Sequence, residues 1–164
     1  MAVIRRDFRF KVLKNFFTPD EVKLLQHYCL KSIAEPSKIK NQRTEPSFGV
    51  AFYDDGLMNT ITYTYWRYYG FGSELVEHND RPACEISVTA CINKTDNWPL
   101  IIKDKKVELD IGDGLLYLGV EDSHSRPNVY RGDGMAQVFM HYVDANGPFT
   151  HHADDNFSNL THRK

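Results

Sequence analysis

Two imidazoles and one carboxylate carry the first signal of chemistry. His78 and Asp80 flank Asn79, and His124 follows Asp80 by 44 residues. In extended chain, residues two apart face the same way, so the first two side chains converge on one side of a sheet. With a histidine brought in from a distant strand, the set can hold a divalent metal by one face and leave its other coordination positions open. That donor set suits Fe(II) working on O2, or Zn(II) working on a bound water. A His-X-Asp step alone is weak, because short matches arise by chance and most such pairs lie on surfaces. Position strengthens it: the pair sits at a strand edge, and His124 follows another strand that begins after the tight turn Ile111-Gly112-Asp113-Gly114. On the residues alone, the metal-site and surface-pair readings stand level.

Strands must position these groups, and the pattern supplies them. From Phe48 onward, short β-branched and aromatic runs (61–69, 84–92, 98–102, 107–111, 115–120 and 135–143) are separated by turn signals. Runs of this length without intervening helical patterns predict an antiparallel sandwich or barrel. The expected architecture is mainly β: a jelly roll, or double-stranded β-helix, behind an N-terminal supporting helix. Thr18-Pro19-Asp20-Glu21 reads as a capping box with proline at the first helical position. Val22, Leu25, Cys29 and Ile33 then share one face of a helix over about 19–33, with Phe17 stapled onto Val22. One domain is expected over 1–164: a helical lead-in and connection over 1–45, exposed from 35, a core over 48–147, and a polar, fraying tail over 148–164.

Composition narrows the partners. A formal net charge of -2 gives no general field for nucleic acid or an acidic membrane. No run approaches the roughly 18 apolar residues of a membrane span, and the N-terminus lacks the apolar stretch of a signal peptide, so a soluble, unprocessed chain is expected. Cys29, Cys84 and Cys91 are too few for a disulfide framework or a thiolate zinc site, which fits a reducing cytoplasm. Cys84 and Cys91, seven apart in one run, read as small buried strand residues on opposite faces.

The block Arg67 to Val143 resembles the Fe(II)/2-oxoglutarate dioxygenases of the prolyl-hydroxylase-like group. The resembling residues are WRYYGFGSELVEHNDRPACEISVTACIN (66–93), Trp98-Pro99-Leu100, the Gly112-Asp113 turn before LLYLG, His124, and QVFMHYVD (137–144). They occur in that group's order and near its spacings, and the lead-in FFTPDEVKLLQ is similar too. The resemblance implies a double-stranded β-helix with His78, Asp80 and His124 as Fe(II) ligands. It implies 2-oxoglutarate and O2 as co-substrates, ascorbate as reductant, and hydroxylation of a peptidyl (prolyl) or small-molecule substrate coupled to formation of succinate and CO2. It also implies that Tyr69, nine residues before His78, lies beside 2-oxoglutarate. Tyr63, Tyr65 and Tyr68 are left as packing residues.

One group of that pattern is missing. The family places an Arg or Lys on its last core strand to hold the distal carboxylate of 2-oxoglutarate, and here the count arrives near Met135. Gln137 is the nearest polar residue that alternation turns inward, and a neutral amide is a weak substitute for a bidentate cation. Alternation offers Arg126, two residues past His124, as first candidate and Arg67, two before Tyr69, as second. Arg131 falls in a loop and reads as a surface charge. His141 reads as a hydrogen-bonded core histidine, and His151, His152 and His162 belong to the tail. Glu85 stands out in its apolar run as a charge for Arg81 or another arginine.

Three functions compete: the dioxygenase, a non-catalytic jelly-roll binding module, and a zinc hydrolase on the same His/Asp/His set. The absent base favours the last two. Substrate choice resides in segments 35–57, 94–106 and 121–133, which carry no readable signature.

Overall fold

Alternation along β2 (Tyr63–Gly70) sets the layering of the molecule. Tyr65, Arg67 and Tyr69 point into the interior cavity, while Trp66 joins Cys29, Ile92, Ala136 and Val138 in a separate apolar cluster on the other face. The computed structural model describes residue 8 and residues 10–34, 62–144 and 146–153, the side chains of 30–34 excepted. The expected connection over 35–45, the specificity segment 35–57, the placement of Ile33 and His162 fall outside the described residues.

The other elements are β1 (Phe10–Leu13), α1 (Pro19–Ala34), β3 (Leu75–His78), β4 (Ile86–Lys94), β5 (Leu100–Ile102), β6 (Lys105–Val107), β7 (Gly114–Tyr117), β8 (His124–Arg126) and β9 (Gly134–Tyr142). They form two antiparallel sheets: β1-β7-β4-β9-β2 with five strands and β3-β8-β5-β6 with four. Leu100, Ile102 and Val107 of the smaller sheet meet Tyr69, Cys91, Leu115 and Met135 of the larger in one buried core. The expected mainly β architecture of antiparallel strands is the one observed, and its two sheets are consistent with a jelly roll.

α1 starts where the capping box predicts. Thr18 N–H donates to Glu21 Oε2 at 2.7 Å and Glu21 N–H to Thr18 Oγ1 at 3.3 Å. The helix buries Val22 and Cys29, and Gln26 Nε2 donates to the Ile92 carbonyl at 2.7 Å, which fixes α1 on the outer face of the five-stranded sheet. The β5–β6 hairpin turns on Lys103 and Asp104, at φ 45° and 62°, the paired positive values of a two-residue turn that matches strand twist.

Several boundaries differ from the sequence reading. β1 was not expected: Phe8, Phe10 and Val12 alternate with Arg9 and Lys11, a pattern too short to stand without the edge that β7 offers it. The 107–111 run keeps only Val107 in a strand, since the chain must turn at Gly112, at φ 94°, to enter β7. Cys84 is not in a strand. Pro82 opens a 3-10 turn over Pro82–Cys84, because proline fixes φ and has no N–H to give a ladder, and β4 begins only at Ile86. In the tail, Thr150–His152 also forms a 3-10 turn. All three cysteines are buried, and none is in a disulfide.

Candidate active site

Strand pairing brings the distant ligand in. β3 and β8 are antiparallel with His78 opposite His124, and the two imidazole centroids lie 4.4 Å apart. Asp80 follows β3, its N–H donating to the Gly119 carbonyl at 2.8 Å. Nε2 of His78 is 3.9 Å and Nε2 of His124 3.7 Å from Asp80 Oδ1. One ligand atom from each residue falls within 4.8 Å of the other two.

The orientation of these groups suits a metal. His78 Nδ1 is 2.8 Å from the Val76 carbonyl, and His124 Nδ1 is 2.8 Å from the Asp122 carbonyl. A carbonyl can only accept, so both Nδ1 atoms carry the hydrogen and both Nε2 lone pairs stay free on the side of Asp80. Burial holds His124 below its ordinary pKa against the opposing pull of the Asp122 carbonyl and Asp80, which favours the neutral imidazole that a metal would need. Asp80 Oδ2 accepts from the Tyr117 hydroxyl at 3.2 Å and the Ser87 hydroxyl at 3.3 Å, which leaves Oδ1 for the shared centre.

Ser87, Tyr117, Gly119 and Asp122 were not singled out from the sequence. Ser87 and Tyr117 are cross-strand partners in the β4–β7 register, and both aim at Asp80. A Cβ on Gly119 would overlap the Cys84 carbonyl oxygen and stand 2.6 Å from Asp80 Oδ2, so the chain passes this close only as glycine. The buried Asp122 carboxylate receives the Leu118 N–H at 3.0 Å and pairs with Lys103 at 2.5 Å, and so fixes the carbonyl that orients His124. The available signal was a polar Ser87 and Thr89 alternating in an otherwise apolar strand.

Asp80 also lies within 4.8 Å of Cys84 and His141. Two of its members are engaged with neighbours: Cys84 Sγ meets the Tyr63 hydroxyl at 2.9 Å, and Nδ1 of the buried His141 meets Ser87 Oγ at 2.8 Å, while His141 Nε2 has no partner among the described residues. His141 is therefore the hydrogen-bonded core histidine expected of it. Among the described residues Glu85 pairs with no arginine; its carboxylate receives the Asp144 N–H at 2.8 Å. Arg131 is exposed, its guanidinium 5.8 Å from the Phe71 ring centre.

The cavity beside the three candidate ligands is also lined by Tyr69, Arg67, Arg126 and Gln137, the four residues read as candidate cofactor contacts. Arg126 is 6% exposed, and its guanidinium sits 4.9 Å from the Trp98 ring centre. It donates through one terminal nitrogen to the Trp98 carbonyl and through the other to Gln137 Oε1 at 2.9 Å. Thr89 Oγ1 donates to the same Gln137 oxygen at 3.2 Å, so two donors fix the amide with its nitrogen turned away. Arg126 Nε and Gln137 Nε2 are left buried without acceptors, and burial pulls the guanidinium below its ordinary pKa. Among the described residues, no carboxylate pairs with Arg126.

No protein-family model and no curated protein sequence matches this chain. Solved structures do. A prolyl-4-hydroxylase from Pseudomonas putida superposes at TM-score 0.63 with 14% identity, over 84% of this chain and 95% of that one. An oxidoreductase of the 2OG-Fe(II) oxygenase family from Burkholderia pseudomallei gives TM-score 0.63 and 12% identity over 87% of each chain. EctD from S. alaskensis with bound Fe gives TM-score 0.63 and 13% identity over 85% of this chain and 75% of that one. The chain shares their fold. Among its described residues, no helix is long and apolar enough to cross a membrane.

Proposed function

We propose that this chain is a non-haem Fe(II)- and 2-oxoglutarate-dependent dioxygenase, a hydroxylase of a peptidyl (prolyl) or small-molecule substrate. The observation that carries the proposal is the meeting in one cavity of a His/Asp/His triad with free Nε2 lone pairs and a buried guanidinium with no anion. A buried, unpaired charge costs several kcal/mol, so Arg126 is a site in want of an acid. A zinc hydrolase on the same ligands, or a binding module with structural histidines, leaves Arg126 without a task.

In this reading His78, Asp80 and His124 would hold Fe(II). Tyr117 and Ser87 keep Asp80 turned toward it, and the Asp122 carbonyl keeps His124 in the required tautomer. Arg126 Nε and Gln137 Nε2 take the two oxygens of the distal carboxylate, so Gln137 acts beside a cation rather than in place of one. Tyr69, Leu75 and Leu100 wall the cavity and exclude water from it. Bound Fe(II) supplies the coupling of 2-oxoglutarate oxidation by O2, to succinate and CO2, with insertion of the second oxygen atom into a substrate C–H bond.

The test is spectroscopic. Purified chain mixed anaerobically with Fe(II) and 2-oxoglutarate should develop the weak visible charge-transfer band of that chelate. A chain that binds Fe(II) but gives no band with saturating 2-oxoglutarate overturns the proposal.

A further inference from the structure

The cavity holds two arginines, and 2-oxoglutarate accounts for one. Arg67 enters from β2, the edge strand of the five-stranded sheet, and lines the same wall as the triad. It is only half-buried, whereas Arg126 is almost wholly enclosed. Among the described residues neither guanidinium has an ion-pair partner, and the cavity's one carboxylate, Asp80, faces the metal position. The formal charges then do not balance. Two guanidinium charges stand against Asp80; Fe(II) brings two positive charges and 2-oxoglutarate two negative ones. Among the described residues one positive charge remains, and with Arg126 engaged it sits on Arg67, on the more open side.

We infer that Arg67 receives a free carboxylate on the primary substrate, which is therefore a small organic acid or a chain-terminal carboxylate rather than an internal residue of a polypeptide. This rests on the dioxygenase reading above and specifies its substrate class. Shape selects a carboxylate among anions. The Arg67 guanidinium lies 5.9 Å from the Tyr65 ring centre and 5.8 Å from that of Tyr69. Rings on either side hold its plane and leave an edge, the fork that matches a planar pair of oxygens. Among the described residues no lysine lines the cavity to meet the further oxygens of a phosphate. Beside Arg67 the wall is apolar and flat: Tyr65 stacks on Phe139 with centroids 4.7 Å apart and 9° between planes. A hydrocarbon portion laid on that surface would run from Arg67 toward the three ligands, where the bond to be oxidised must lie.

The probes are acetate, propionate, butyrate and hexanoate with their matched primary amides, titrated into the anaerobic chain loaded with Fe(II) and saturating 2-oxoglutarate. A ligand held next to the metal shifts the visible band; one that displaces 2-oxoglutarate erases it. The carboxylates are expected to shift the band and the amides to bind about 10- to 100-fold more weakly, the range for losing a charge-assisted hydrogen-bonded pair. Arg67→Gln should erase the difference between acids and amides, and Arg67→Lys should restore part of it, while both variants keep the wild-type 2-oxoglutarate titration. Acids and amides acting alike, or neither acting, overturns the inference. So does an Arg67→Gln variant whose 2-oxoglutarate affinity falls tenfold or more, for Arg67 would then be the cofactor anchor. Failure of the wild-type chain to form the band strikes the dioxygenase reading instead, so the two failures are distinct.

Discussion

Gly119→Ala asks whether Asp80 is held by shape, because it changes no ligand and no charge. Gly119 has no positive φ, so the added methyl brings no backbone strain and its cost is contact alone. The methyl would overlap the Cys84 carbonyl oxygen and stand 2.6 Å from Asp80 Oδ2 and 2.9 Å from Ser87 Oγ. The backbone cannot back away freely, because Gly119 N–H donates to the Glu85 carbonyl at 3.1 Å and its own carbonyl accepts from Asp80 N–H at 2.8 Å. Overpacking of this kind costs about 1–3 kcal/mol. The group best able to move is the Asp80 carboxylate, with loss of its Ser87 and Tyr117 donors; disturbing such orienting partners weakens metal binding about 10- to 100-fold. Urea unfolding of metal-free protein and a Mn(II) titration read the two effects separately. Gly72→Ala is the control: its Cβ meets nothing within 4 Å, but φ is +83°, so it should cost about 1 kcal/mol and leave metal affinity alone. A Gly119→Ala protein that binds Mn(II) as tightly as wild type refutes the packing argument around Asp80.

Further outcomes follow from the same geometry. His78→Ala, Asp80→Ala or His124→Ala should each abolish Fe(II) binding and leave a folded chain, whereas His141→Ala should leave metal stoichiometry unchanged; metal analysis after gel filtration decides, and the reverse pattern would move the site to the Asp80/Cys84/His141 set. Arg126→Ala should raise the apparent KM for 2-oxoglutarate by about one to three decades, since losing one partner of a buried charge pair costs roughly 2–5 kcal/mol. Fe(II) affinity should barely change, and a KM within twofold of wild type removes Arg126 as the anchor. Burial pushes the Cys29 thiol up to about 12 and the Cys91 thiol to about 11, so at pH 8 both should react with a thiol reagent only as the chain unfolds; three thiols should then titrate, and rapid reaction of the native protein would contradict the packing. Burial, with Arg81 and His124 adding unfavourable charge, lowers His141 to about 3, while an unfolded imidazole takes its proton near 6.5. The unfolded state therefore binds more protons between those values, and stability is lost as pH falls below about 6.5, by about 2 kcal/mol at pH 5. His141→Gln should flatten that slope in metal-free urea titrations at pH 7.5 and 5.0, and equal losses in both proteins would refute it.

What could be read from the sequence is what alternation carries along one strand. His78 with Asp80, His124 with Arg126, and Arg67 with Tyr69 are pairs two residues apart, and each pair does line one cavity. What escaped depends on register between strands, which no local pattern records. Ser87 and Tyr117 reach the same carboxylate only because β4 and β7 pair with those two residues opposite each other. Gly119 matters through a close approach to Cys84 and Asp80, residues far away in the chain. β1 went unread for a related reason: its short alternation, Phe8, Phe10 and Val12 with Arg9 and Lys11 between them, becomes a strand only on the free edge of β7, which no local pattern records. Cys84 was misplaced because a continuous β-branched run hid the consequence of Pro82 two residues earlier.

The apparent defect of the pattern, a missing base on the last core strand, becomes a mechanical feature once β8 is seen. His124 and Arg126 are the two ends of one three-residue strand, paired on one side with β3, which carries His78, and on the other with β5. A candidate metal ligand and the candidate cofactor anchor therefore cannot move independently. Arg126 is further tied to β9 through Gln137, and to the segment before β5 through the Trp98 carbonyl, so that end of the strand is held by groups from the opposite sheet and from its own. An anchor on β9 would sit on a different sheet from both histidines and could shift with it. Placing it on β8 couples the spacing between metal and distal carboxylate to a single rigid step of about 7 Å, two residues of extended chain. Substitutions that loosen β8 without touching either side chain, such as proline at Ser125, which would also cost the strand an N–H, should weaken metal and 2-oxoglutarate binding together.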